Sequence, residues 1–225
     1  KDYFLFYGAK ENNIYNHNFT SLFENHILTK VMAEDEKVEI KERLGIDNVK
    51  TVISVGQFIH RKGFDLLLKA WKNVHDEVNL LIIGGGEQAQ EYNNFIEENG
   101  IKNVKIIGFV PFEQLLDYFK ACDLFVLATR EDVWGLVINE AMACGLPVIT
   151  TNKCIAGLEL VEDNINGFIV ESENEIQLAE KINAVVTNDS ILRSMSENSL
   201  DKIRPYTYEG IIKDHINVIN KITKR

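Results

Sequence analysis

The chain has 225 residues, of which 45% are apolar, and its 34 acidic and 24 basic side chains leave a net charge of −10. At roughly 150 residues per domain this is about one and a half domains, so two complete ones do not fit. The acidic balance excludes a general nucleic-acid binder, whose domain carries a basic stripe, yet it permits a local basic site for a small phosphate ligand.

Other bulk features narrow the setting. Aromatic residues at 9% and charged residues at 26% exclude global disorder. No apolar run approaches the roughly 18 residues of a membrane-spanning helix. The opening Lys1–Tyr7 stretch lacks the apolar length and small-residue cleavage site of a signal peptide. Cys122, Cys144 and Cys154 are odd in number and without CxxC spacing, which predicts a reduced, intracellular setting and no zinc site. The sequence has no initiator Met, and its strand-like opening has no partner half; both predict a fragment of a longer protein.

In chain order, residues 1–30 read as an edge strand and a connector, and a helix near Glu36–Leu44 ends at Gly45. Thr51–Val55 is a β-rich run closed by Gly56. Phe64, Leu67, Leu68 and Trp71 then fall on one helical face. Leu80–Ile83, ending in three glycines, is a second strand. A polar helix carrying Ala89, Tyr92 and Ile96 stops at Gly100. Val104–Ile107 is a third strand, followed by a helix with Phe112, Leu115, Leu116 and Phe119 on its face. Leu124–Leu127, Val148-Ile149 and Phe168–Val170 complete six strands. Leu178, Ile182, Val185 and Val186 share a helix face, as do Ile212, Ile216, Ile219 and Ile222 after Pro205. Apolar strands without polar alternation, separated by helices, predict a doubly wound, Rossmann-like parallel sheet of about six strands.

In such a sheet, ligands bind beyond the carboxyl ends of the strands, so the loops there are the candidate sites. Gly56–Gly63 places Arg61 and Lys62 at a helix start, where the helix dipole is already positive. Two cations there fit a bound anion such as a pyrophosphate; a solvated loop is the alternative. Gly84–Gly86 lacks the GxGxxG spacing and reads as a turn or as a place of close ligand approach. Phe109 and Val110 either wall a base or sugar or pack under the next helix. The fourth loop is the most informative. Glu131 and Asp132 precede a helix that starts near Gly135 and holds Glu140 among small apolar neighbours, where a carboxylate needs hydrogen-bond donors. Sugar hydroxyls supply such donors, and the amides of Gly135, Leu136 and Val137 suit a phosphate. The five histidines are scattered, and no Asp-x-Asp motif follows a strand.

The segment DLFVLATREDVWGLVINEAMACGLPVITT, residues 123–151, resembles the signature of glycosyltransferase family 4, retaining enzymes of the GT-B fold that use nucleotide-diphosphate sugars. VGQFIHRKGFDLLLKAW, LLIIGGGE and VKIIGFVP resemble the family's other loops, in the same order, over roughly residues 50–185. ENNIYNHNFTSLF resembles the linker from a preceding domain.

The resemblance implies residue roles. Of the family's two acids, spaced by seven residues, the second matches Glu140, on the nucleotide ribose. The first falls on Asp132, an Asp where Glu is usual, with Glu131 one position away; one of the two touches the donor sugar. Lys62 matches the diphosphate lysine. Gln57 replaces the partner Arg, a charge that Arg61 could supply. Phe109 and Val110 match the base-lining loop, and Leu136 and Val137 the phosphate-binding amides.

It further implies a donor half without a metal cofactor, in which 1–48 is connector and edge elements from a missing N-terminal domain. Residues 49–204 are then the nucleotide-sugar-binding domain, and the helix 205–225 packs back on the missing half. A glycan or lipid-linked glycan acceptor would bind that half, in a cytoplasmic enzyme with peripheral membrane association. A non-catalytic nucleotide or sugar-phosphate binding module is the alternative, supported by Gln57 and Asp132.

Overall fold

The computed structural model describes residues 2–223; Lys1 and the last two positions of the 205–225 segment lie outside the described residues. Helix α1 (Asp2–Phe6) and two short 3-10 turns lead to α2 (Glu34–Leu44). Strand and helix then alternate: β1 (Thr51–Gln57), α3 (Phe64–Trp71), β2 (Asn79–Gly85), α4 (Ala89–Glu98), β3 (Val104–Ile107) and α5 (Phe112–Ala121). The second half runs β4 (Leu124–Leu127), α6 (Leu136–Ala143), β5 (Val148–Thr151), α7 (Ile155–Leu160) and β6 (Gly167–Val170). Helices α8 (Glu175–Val186), α9 (Asp189–Ile203) and α10 (Tyr208–Thr223) follow.

All six strands are parallel, in the order β3-β2-β1-β4-β5-β6. Alternate residues of each strand feed opposite cores, as strand geometry requires. Val52, Leu80, Ile82, Leu124 and Val126 pack with side chains of α3, α4 and α8. Ile53, Leu81, Ile83, Phe125 and Leu127 pack with α5, α6 and α7. Both faces of the central strands are covered, which is why they read as apolar runs, while the edge strand β3 carries an exposed Lys105. The order reverses direction between β1 and β4, so the loops leaving these two strands diverge and open a crevice.

Two glycines let backbone approach backbone near that crevice. Gly63 has φ +69°, and a Cβ there would lie 1.9 Å from the Ala128 carbonyl oxygen. Gly84 has φ +151°, and its Cβ would lie 1.9 Å from the Gly56 carbonyl oxygen. The close approach in the triple-glycine turn is therefore made by the chain's own β1.

The opening segment differs from expectation. Among the described residues no strand precedes Thr51, and Tyr3–Phe6 lie in α1, none of whose residues is buried. With β3 and β6 forming the sheet edges, this aromatic run pairs with neither and instead stacks Tyr3 on Tyr7, rings 4.8 Å apart. At the other end, α10 carries its Ile212, Ile216, Ile219 and Ile222 stripe outward, each more than half exposed. Among the described residues no helix is long and apolar enough to cross a membrane.

Candidate functional site

The loops after β1 and β4 meet at the crevice and are stitched together. The Arg61 carbonyl accepts from Arg130 N at 2.8 Å and from Thr129 Oγ1 at 2.9 Å. The Arg130 guanidinium donates to the His60 carbonyl at 2.7 Å and forms a two-pronged bond to Asp65 at 2.7 and 2.8 Å. It also meets Glu173. In return Arg61 donates to the Glu131 carbonyl at 2.8 Å. These bonds fix a 3-10 turn, His60–Lys62, whose basic side chains have little freedom to wander.

Lys62 reaches across the crevice to Asp132, Nζ to Oδ2 at 2.5 Å, with the Arg61 guanidinium 4.0 Å from the other carboxylate oxygen. Asp132 itself is buried, 8% exposed. The loop after β5 holds its backbone: Asp132 N donates to the Lys153 carbonyl at 2.9 Å, and Ile155 N donates to the Asp132 carbonyl at 3.2 Å. Next along the chain, Gly135 opens α6 from the left-handed region, φ +96°. The first-turn amides of α6 have no partner within the helix, as at any helix start.

The resulting cleft is about 410 Å³ in volume. Gln57, Arg61, Lys62, Asp132, Gly135, Leu136 and Val137 all line it, seven residues singled out from sequence. Four other candidates are not among its lining residues. Phe109 is 86% exposed on the loop after β3, and Val110 packs, half-buried, on the second core face. Glu131 contributes its carbonyl to the loop clasp and leaves its side chain exposed.

Glu140 sits one turn along α6 from the cleft and accepts a hydrogen bond from Ser21 Oγ at 3.3 Å. Burial pushes its carboxyl above the usual range, and the Ser21 bond only partly offsets this. Sequence reasoning thus located a desolvated carboxylate but not its donor.

It also missed an aromatic wall. Phe19 and Trp134 line the cleft with rings 5.4 Å apart, edge to face. Both are tied to Asn139, which is fully buried on α6. A single Asn inside the apolar run of α6 was the available signal. Among the described residues no group of three or more His, Cys, Asp or Glu is gathered to hold a metal ion.

A six-stranded parallel sheet covered by helices, with a basic turn, a helix start and a carboxylate meeting at its switch point, defines a Rossmann-like α/β domain. Residues 36–202 match the model of the glycosyl transferases group 1 family, and the chain belongs to that family. An uncharacterized glycosyltransferase of Methanocaldococcus jannaschii is 31% identical over 159 residues, 70% of this chain and 44% of that protein. The chain spans about half the length of the curated relatives it matches. Among solved structures, Anabaena HepE in complex with UDP superposes with a TM-score of 0.80 at 21% identity, over 99% of this chain and 60% of that one. The C-terminal domain of a glycosyl transferase group 1 family protein from Francisella tularensis superposes with a TM-score of 0.71 at 19% identity. That match covers 84% of this chain and all of that domain.

Proposed function

We propose that this chain is the donor-binding half of a retaining glycosyltransferase resembling family 4, built on two facing Rossmann-like halves. The observation that carries the reading is the convergence of Arg61, Lys62, Asp132 and the first turn of α6 on one cleft at the β1–β4 switch point. Two cations and a helix start stabilise the diphosphate as it leaves, without a divalent metal in the scheme. Asp132 rather than Glu131 is the acid this reading assigns to the donor sugar; that it lines the cleft and Glu131 does not supports the assignment. Glu140 takes the ribose hydroxyls in place of Ser21, and Phe109 and Val110 meet the base if their loop closes over it. A glycosyl group then passes to an acceptor hydroxyl on the other half, with retention at the anomeric carbon. That acceptor is a glycan or lipid-linked glycan, at the cytoplasmic face of a membrane. Helix α10, with its outward isoleucines, packs against the acceptor half.

A second reading, a non-catalytic nucleotide or sugar-phosphate module, is favoured by Lys62 being closed on Asp132 and by Gln57 standing where the family has Arg. Thermal melting with UDP, GDP and ADP, each with and without magnesium, tests donor binding. A magnesium-independent rise with one nucleotide is expected. No rise with any of them would sink the proposal. Sugar transfer by the full-length protein then separates enzyme from module.

A further inference from the structure

A fully buried amide is an expensive thing to place in an apolar helix face unless both of its ends are bonded. Asn139 is such a group: 0% exposed, in a run that is otherwise Leu, Val, Ile, Ala and Met apart from Glu140. Its Oδ1 accepts from Trp134 Nε1 at 3.0 Å, and its Nδ2 donates to the Phe19 carbonyl at 3.1 Å. Neither partner is a fully buried core side chain, although Trp134 packs half-buried on the second core face. Trp134 is on the loop before α6, Phe19 is 46% exposed on the connector, and both rings line the cleft. One buried side chain is therefore bonded to both aromatic residues of the wall, although Phe19 lies 120 residues before it in sequence. The same stretch of connector is held by Ser21 on Glu140 and by Leu28 N on the Ala143 carbonyl at 2.9 Å, so α6 carries the whole run as a fixed rim.

We propose that Asn139 is a positioning residue for donor binding: it aims Trp134 and Phe19 so that a ring of the donor, base or sugar, lies against them. This rests on the donor-binding reading above. An aromatic face binds either kind of ring through the same contact, and its geometry, not its mere presence, decides how well it does so. Asn139 touches no ligand; it acts through the indole and the connector carbonyl.

The test is calorimetric binding of UDP, GDP and ADP, and of their glucose conjugates, to the chain and to four variants. Asn139→Leu keeps the volume and removes both bonds. It is expected to weaken binding roughly tenfold, the range of coupling between residues in one network. Loss with the nucleotide alone assigns the wall to the base, and loss confined to the glucose conjugate assigns it to the sugar. In a Trp134→Phe background the same substitution is expected to cost clearly less than in the unaltered chain, because the indole arm has gone and only the bond to the Phe19 carbonyl remains to be lost. Equal losses in the two backgrounds would show a merely structural residue and overturn the proposal. So would unchanged binding in Asn139→Leu. Should that variant not fold, Trp134→Leu removes the wall and leaves the amide in place; full affinity there overturns the proposal as well. If no diphosphate binds the unaltered chain, the donor-binding reading fails first and takes this one with it.

Discussion

Lys62 and Asp132 hold the cleft in a self-neutralised state. The ammonium that would meet a diphosphate is already bonded at 2.5 Å to a carboxylate, and that carboxylate would repel an incoming anion. Asp132→Asn removes the repulsion and releases the charge on Lys62. Nucleotide diphosphate affinity is expected to rise about tenfold in this variant, while transfer by the full-length protein falls. Calorimetry that gave weaker or equal binding would contradict the electrostatic account.

Glu140 makes the converse point about stability. Its raised pKa means that the fold favours the protonated form. The contribution of this group is therefore fully present below its unfolded pKa, near 4.5, and is lost as pH rises through the higher folded value. Glu140→Gln keeps the neutral form at every pH. It is expected to stabilise the chain by about 1 kcal/mol at pH 7 and by nothing in acid. Melting curves at both pH values check this, and an equal gain at pH 3 would refute the desolvation argument.

At the scale of elements, α2 is anchored by charge rather than by apolar contact. Its Lys37 and Lys41, 8% and 4% exposed, both reach Asp123 just before β4, at 2.8 and 3.6 Å. The Thr51 amide at the start of β1 donates to the same carboxylate at 2.8 Å. Burial opposes ionisation of Asp123, but the two ammonium groups outweigh it and hold its pKa below the usual range. The stability it lends is present at neutral pH and is lost as pH falls through that lowered value. Asp123→Asn would leave Lys41 with only the Val49 carbonyl and Lys37 with only the exposed Glu34 carboxylate 3.8 Å away, at a cost of about 3 kcal/mol. Denaturant unfolding should register this as a lower midpoint at unchanged slope. A change under about 0.5 kcal/mol, the size of an ordinary surface substitution, would show that α2 docks by other means.

Elements differ in how far the sequence betrays them. Strands buried on both faces advertise themselves as apolar runs, which is why the central strands are legible, and the edge strand β3 is legible from Val104, Ile106 and Ile107 despite the exposed Lys105. Tyr3–Phe6 are also an apolar run but form a helix and pair with neither sheet edge, and composition alone does not say so. Within the site, the loops after β1 and β4 were legible because a parallel sheet says where to look. In sequence the Arg61 and Lys62 charges fit either a bound anion or a solvated loop, whereas part of their counter-charge, Asp132, lies in the chain itself. Phe19 and Ser21 were not legible as cleft and Glu140 partners, because they reach α6 only through the folded path of the connector.

At the scale of the whole molecule, the strand order has a consequence in time. β1 pairs with β2 across 28 residues of sequence, Val52 opposite Leu80, but with β4 across 72, Val52 opposite Leu124. Longer loops close more slowly, and during synthesis β1, β2 and β3 are complete before β4 exists. The crevice lies between the two strands whose pairing must wait, so the cleft is assembled late. A stopped-flow experiment should find nucleotide-binding competence recovering after most of the helical signal has returned, and simultaneous recovery would count against this order. The expected stage is one in which half of the sheet, β1 to β3, can stand while the β1–β4 crevice does not yet exist.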